Sequence, residues 1–390
     1  VQSILKILLG QLGANGDCLY ATVLARQIRH DYPDAHLTWA ISSQCRHLID
    51  NNPHVDAIWE WSINDWAAYN TAWQSLERAL FRAPQNEAGF DKLVLSQILP
   101  SNIRNYDGTV RPSILRAYGA PITVPVDSVI ELTDAEQSRV AQFAEQQHLA
   151  DFEHCVLFEC SSKSGQSYVT PKFAVEVARK VHEVLPGCGF VFSTHQSVDE
   201  SLPYVISARD LTMRENAALT HHCSMFVGCG SGLTVVATSS GARELPNIQV
   251  LNASKSVYAS FRHDFEYFGK STSRFIEMGD AKADRVAEAV ISVCRDGVAG
   301  AKSEFDRPIA VFFEDYISRV EKWAIRHGKY IDAVESLAVT VERYGWNERL
   351  LAFGKKRLSR LMPKDPLMMD PLTARKARQS LEQLLASAAD

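Results

Sequence analysis

Two α/β domains facing one cleft, each a parallel sheet wrapped by helices and followed by an all-helical extension, form the architecture this sequence predicts. Three observations predict it. Strand-like apolar runs alternate with helical runs up to about residue 300. Two glycine-rich breaks, Leu8-Leu9-Gly10-Gln11-Leu12-Gly13-Ala14-Asn15-Gly16-Asp17 and Phe226-Val227-Gly228-Cys229-Gly230-Ser231-Gly232-Leu233, each link an apolar run to a helical one. From Phe305 onward the pattern is helical only. A strand–glycine loop–helix junction leaves unpaired N–H groups at a helix start, a setting for an anionic ligand. One such junction in each half brings two of them to a shared cleft.

Along the chain, the apolar run Ile4–Leu9 precedes a helical pattern over Cys18–Asp31, ended by Tyr32-Pro33. His36–Ile41 reads as a strand, Gln44–Asn51 as a helix, Val55–Trp59 as a strand, Trp66–Phe81 as a longer helix and Leu93–Ile98 as a strand. That βαβα order calls for a parallel sheet with helices on its faces. Pro121 to Val129 is extended and proline-punctuated; Thr133 then caps a helix, and Glu136 three residues on completes a capping box. The first Rossmann-like domain is therefore placed at residues 1–130.

The second unit repeats the alternation. Cys155–Glu159 is a strand, and Thr170-Pro171 supplies the N-cap and first-turn proline of a helix to Val184. Gly189–Ser193, Met225–Val227 and Ile248–Leu251 read as strands, with helices at Thr212–His221, Leu233–Ser239 and Ala283–Cys294. This second Rossmann-like domain is placed at 131–302 and the helical extension at 303–390. Within the extension, Gly328, Tyr330 and Ala333 mark a turn between two helical segments, as in a single tetratricopeptide-like hairpin. After Pro363 a loop precedes a final frayed helix.

Composition narrows the function. Of the 390 residues, 46% are hydrophobic and 22% charged, the balance of a soluble globular protein. A net charge of −5 argues against a nucleic-acid binder. The eight cysteines are scattered without a CxxC pair and read as reduced, mostly buried thiols of a cytoplasmic protein. Cys155 and Cys160 bracket one strand on opposite faces, which disfavours their pairing. No apolar stretch approaches the roughly 20 residues of a membrane span. Lys355, Lys356, Arg357 and Arg360 lie beside Leu351, Phe353, Leu358 and Leu361. Two readings stand for that segment: peripheral contact with the inner membrane face, or a solvated basic face on a packed helix, which the sequence alone favours.

Three constellations carry chemistry. Gly10, Gly13 and Gly16 recur every three residues, so no GxGxxG fingerprint exists, and no Walker Lys-Ser/Thr follows. Asp17 then has two readings: an N-cap of its own helix, favoured by residue physics, or a general base at the cleft mouth. Gly13, Asn15 and Gly16 form the loop around it. The stretch Glu159-Cys160-Ser161-Ser162-Lys163-Ser164-Gly165-Gln166-Ser167-Tyr168 offers short hydroxyl donors and one cation, suited to a pyrophosphate. Glu159, at a buried strand end, is suited to hydrogen-bond a sugar or a loop amide. Gly230, Ser231 and Gly232 open the second helix as a phosphate cradle. His195 stands at the cleft rim, and Arg262, His263, Asp264 and Glu266 are placed on a cleft loop. His221-His222-Cys223 with Cys229 lacks the spacing of a metal site, and no metal or cofactor is expected.

Gly16-Asp17, Tyr32-Pro33-Asp34-Ala35, His36–Ile41 and Asn52-Pro53-His54-Val55-Asp56, followed later by Glu215-Asn216-Ala217-Ala218-Leu219 and Gly228 to Gly232, resemble the heptosyltransferase-like glycosyltransferases of family 9. The resemblance spans roughly residues 4 to 300. It implies a GT-B fold and inverting, metal-independent sugar transfer from a nucleotide-sugar donor to a glycan or glycolipid acceptor of a bacterial surface, lipopolysaccharide or similar. Asp17 matches the family's catalytic base, and Ser161 and Ser162 fall in its phosphate-contacting loop. The family's lysine lies nearer the next helix, where this chain has Tyr168. Where the family carries an Asp before Ser-Gly and a His four residues after it, this chain has Gly230 and Val235. Donor contacts from Ser164 to Ser167 are expected in their place. A nucleotide-sugar 2-epimerase of the same fold, or a degenerate binding or scaffold protein, are the competing expectations.

Overall fold

The computed structural model describes residues 4–63, 65–81, 89–198, 201–255, 257–361 and 371–388. The loop expected directly after Pro363 lies outside them. Two parallel sheets organise the chain, both flanked by helices.

The first sheet runs β3-β2-β1-β4, with β1 at Lys6–Gly10, β2 at His36–Ser42, β3 at Ala57–Trp61 and β4 at Lys92–Leu95. β1 pairs on one side with β2 (Leu8 opposite Thr38) and on the other with β4 (Leu8 opposite Leu93). The second sheet runs β10-β9-β8-β5-β6-β7, with β5 at His154–Glu159, β6 at Cys188–Ser193, β7 at Val205–Ser207, β8 at Met225–Gly228, β9 at Asn247–Leu251 and β10 at Phe275–Gly279. β1, β5 and β8 are buried along almost their whole length, which is why they read as continuous apolar runs rather than alternating ones.

Each sheet reverses its strand order once, between β1 and β4 in the first and between β5 and β8 in the second. In open α/β sheets the crevice outside the carboxyl ends at such a reversal is where ligands bind. Both glycine loops leave strands that border these crevices.

Most expected elements fall within a few residues of their predicted bounds. The helices Trp66–Phe81 and Pro171–Val184 do so, the latter with Thr170 accepting from the Phe173 N–H. The Thr133–Glu136 capping box forms in both directions. Among the described strands and α-helices of the two α/β units, β7, β10 and the helices Val110–Arg116 and Phe261–Tyr267 lay outside the sequence reading. β7 has only three residues, and β10 carries Glu277, fully buried and hydrogen-bonded to Ser260 and to the Ile309 N–H. The helix expected over Gln44–Asn51 is a single 3₁₀ turn, Arg46–Ile49. The closing helix runs on to Phe305, broken only at Gly297.

The extension is built into the rest of the molecule. Its helix Tyr330–Tyr344 lies against the loops after β4, with Ser336 donating to the Tyr106 carbonyl at 2.6 Å and Arg104 pairing with Asp332 at 2.9 Å. Arg343 reaches furthest: it bonds Asp107 at 2.8 Å, Thr109 at 2.7 Å and the His263 carbonyl at 2.7 Å. In the basic segment, Leu350, Phe353 and Leu358 are buried, while Lys355, Lys356 and Arg357 stay exposed and Arg357 pairs with Glu321. The apolar side of that segment is thus turned into the protein. No helix among the described residues is long and apolar enough to cross a membrane.

Buried arginines tie the two sheets together. Arg111, 1% exposed, pairs with Asp264 at 3.1 Å and stacks on Tyr20. Arg214 bonds the Asp50 carbonyl at 2.8 Å, the Glu131 carbonyl, and Glu136 at 2.7 Å. Removing one partner of such a buried pair strands the other charge. Arg214→Ala is therefore expected to destabilise the protein by about 3 kcal/mol, read as a lower denaturation midpoint in urea.

Candidate active site

The cleft between the two units encloses about 730 Å³ and is lined from both sides. A larger groove of about 1020 Å³ lies beside β7, lined by Gln142, Gln146, His148 and others, but holds neither glycine loop. The chemistry-bearing residues meet in the first cleft.

The first glycine loop is held by one side chain from across its crevice. Gln97, just past β4, accepts from the Leu12 N–H at 2.9 Å, the Gly13 N–H at 3.1 Å and Gln11 at 3.0 Å. The helix that follows runs Asn15–Asp31 with Ala14 at its N-cap. Asp17 consequently lies inside the first turn, and the capping role expected for it is corrected. It is partly exposed and lines the cleft. Burial by surrounding protein pushes its carboxyl up to about 7, with the hydrogen bond from the Ala14 amide pulling the other way.

The second loop is held in the same manner. Glu159, at the end of β5 and 2% exposed, accepts from the Cys229 N–H at 2.6 Å, from Thr234 at 2.7 Å and from the Ser231 hydroxyl. Burial raises its carboxyl above the usual range, and these donors oppose that. Glu159 is the loop's anchor, and the Ser231 hydroxyl is spent on it. The Gly230 N–H is taken by Thr234 at 3.1 Å. The expected phosphate cradle is thus partly filled by the protein's own acceptors.

Gly230 has φ +64, and a Cβ there would lie 2.8 Å from Ala259 Cβ and 2.9 Å from the Ala259 carbonyl oxygen. No aspartate fits at this position as the loop is built. Gly16 and Gly232 face each other across the cleft floor, where a Cβ on Gly16 would sit 3.5 Å from the Gly232 Cα. The two units touch through bare backbone.

Asn15, Gly16, Ser161, Lys163, Gln166, His195, Gly230, Ser231 and Gly232 all line the cleft. Gln166 spans two loops, accepting from the Ser164 N–H at 3.1 Å and donating to the Gly230 carbonyl at 3.4 Å. Three expected contacts do not line it. Ser162 donates to the Ser167 carbonyl at 3.1 Å, Ser167 donates to the Val250 carbonyl at 2.6 Å, and Gly13 is packed under Tyr69. The cluster from Arg262 to Glu266 is also away from the cleft, on the helix Phe261–Tyr267, where Arg262 pairs with Asp306 and Asp264 with Arg111. Cys155 lies 3.8 Å from Cys223, and all eight cysteines are free thiols. Among the described residues, no group of three His, Cys, Asp or Glu side chains is placed to hold a metal ion.

Several lining residues had no sequence signal: Tyr20, Gln44, Tyr69, Arg209 and Tyr258. Arg209 follows the three-residue β7, and Tyr258 reaches in by donating to the Ser164 carbonyl at 2.8 Å.

Two reversed parallel sheets meeting at glycine loops define a GT-B fold. A family 9 glycosyltransferase from Veillonella parvula superposes with a TM-score of 0.51 at 14% identity, over 78% of this chain and 96% of that one. The ADP-heptose LPS heptosyltransferase II of E. coli superposes with a TM-score of 0.50 at 15% identity, over 74% and 98%. At this identity the likeness speaks for the fold. No protein-family model and no curated protein sequence matches the chain.

Two outcomes follow from the site's geometry. Between pH 3.8, the ordinary value for the group, and about 7, folded Asp17 retains a proton that the unfolded chain has released. The native state therefore loses stability as pH rises through that window. Asp17→Asn is expected to melt roughly a few degrees above wild type at about pH 8 and level with it at about pH 4, by calorimetry. Gly230→Ala is expected to cost about 1–3 kcal/mol, from a strained φ and the Ala259 contact, read by chemical denaturation.

Proposed function

We propose that the chain is an inverting, metal-independent glycosyltransferase that moves a sugar from a nucleoside-diphosphate donor to a hydroxyl of a bacterial surface glycan, lipopolysaccharide or similar. The observation that carries this reading is Asp17. It is a cleft-lining carboxyl whose proton affinity lies near neutrality, on the helix whose Gly16 abuts Gly232 of the second loop. A base poised near the working pH is the most effective one.

In this reading the donor lies along the second unit. Ser161, Lys163 and Arg209, which line that side, meet the diphosphate, and Gly230 to Gly232 allow close approach of its backbone. The acceptor hydroxyl enters beside Asp17. Its oxygen attacks the anomeric carbon from the face opposite the diphosphate, the C–O bond to phosphate breaks, and the leaving diphosphate takes the electron pair. Asp17 receives the hydroxyl proton as the new bond forms. Lys163 and Arg209 offset the charge that builds on the departing oxygen, which is where electrostatic help lowers a barrier.

The expected outcome for Asp17→Asn is a fall in kcat of about 10² to 10⁴-fold with nucleoside-diphosphate binding retained. For wild type, kcat/KM should rise about tenfold per pH unit below neutrality and level off above about 7, since the base acts only when deprotonated. Turnover of the Asn variant close to wild type would overturn the assignment.

A further inference from the structure

The lining cations and Asp17 lie on opposite sides of the cleft, with the buried Glu159 on the cations' side. The wall built from the first unit is formed by Asn15, Asp17, Gln44, Tyr69 and their apolar or small neighbours, and among its described lining residues Asp17 is the one charged group. The cations of the cleft, Lys163 and Arg209, stand on the opposite wall, as does His195.

Arginines near the first wall are committed elsewhere. Arg111, next to the lining Val110, is 1% exposed and bound to Asp264. Arg46, next to the lining Cys45, pairs with Asp50. Arg116 pairs with Asp107 at 2.7 Å. The state of Asp17 agrees: burial raises its carboxyl, opposed by the Ala14 amide. A guanidinium or ammonium within a few ångströms would pull that carboxyl down.

What the first wall does offer is neutral. Gln44 is exposed and presents two donors and an acceptor. Asn15 is held by weak contacts to sulfur, 3.4 Å to Met213 and 3.2 Å to Cys45. Tyr69 rests on the backbone of Gly13, so close that a Cβ there would be 2.6 Å from its ring, and brings an aromatic surface into the cleft. Amides and an aromatic ring suit the hydroxyls and C–H face of a sugar. A carboxylate or phosphate on the acceptor would meet ionised Asp17 with no cation among the described residues of that wall.

We infer that the acceptor is an uncharged, hydroxyl-rich glycan read by Asn15, Gln44 and Tyr69, and that acidic sugars are excluded from this wall. The inference rests on the transferase reading only in calling that ligand the acceptor.

The test is a binding titration at about pH 8, where Asp17 is ionised. The full chain, with and without saturating ADP, UDP or GDP, is titrated with neutral methyl glycosides and oligosaccharides of common hexoses and N-acetylhexosamines. Matched uronic acids and hexose 6-phosphates form the second series, and binding is followed by saturation-transfer NMR and calorimetry. Neutral ligands are expected to bind at least about tenfold tighter than their acidic counterparts, with little change between low and high salt. Gln44→Lys, which adds a cation to the wall, is expected to reverse that preference, and Asp17→Asn to narrow it. Equal or tighter binding of acidic ligands by wild type overturns the inference, as does failure of the neutral series in a protein that binds a nucleoside diphosphate. A protein that binds neutral saccharides with the stated selectivity but no nucleoside diphosphate upholds the selectivity and overturns the transferase reading.

Discussion

Both glycine loops depend on one acceptor side chain reaching across from the neighbouring strand. Gln97 collects the amides of Leu12 and Gly13, and Glu159 collects the amide of Cys229 with the hydroxyls of Ser231 and Thr234. A tight loop at the end of a buried strand exposes several N–H groups that helix and sheet leave unpaired, and each must find a partner. Supplying it from the strand on the far side of the order reversal fixes the loop and locks the two strands in register. Asp17, Gly16 and Gly232 then take positions set by the sheets rather than by flexible chain.

The same arrangement separates two tasks that a glycine loop can perform. An amide bound to Glu159 cannot also bind a phosphate, so the second loop contributes shape more than donors. The cations of that side, Lys163 and Arg209, stand exposed among the cleft's lining residues. On the opposite wall Asp17 is the one charged group among the described lining residues. The asymmetry between the two loops is thus electrostatic as well as geometric.

The sheets were legible in the sequence because buried parallel strands are written as short, unbroken apolar runs between helices, as at β1, β5 and β8. The caps at Thr133 and Thr170 were legible because their partners are three residues away. Asp17, Lys163 and the second glycine loop stood out by residue type at a strand end. What could not be read depends on distance along the chain. The pairing of Glu159 with Cys229, or of Arg111 with Asp264, joins residues that local periodicity does not connect. The start of the helix at Asn15 escaped notice because its N-cap, Ala14, carries no capping side chain. β7 was too short to show a period, and with it went Arg209. Ser162 and Ser167 had the right chemistry but turn toward backbone carbonyls, an orientation that composition does not encode.

Arg343 has a consequence for the order in which the molecule is completed. Asp107 is fully buried and is bonded by Arg116, nine residues away, and by Arg343, 236 residues away. During synthesis from the N-terminus, the first α/β unit emerges long before the residue that finishes neutralising its interior. The second unit arrives with Asp264 and the His263 carbonyl, and the later helix Tyr330–Tyr344 supplies a guanidinium that bonds Asp107 of the first unit and the His263 carbonyl of the second. The helical extension is in this sense a closing clasp on a nascent chain.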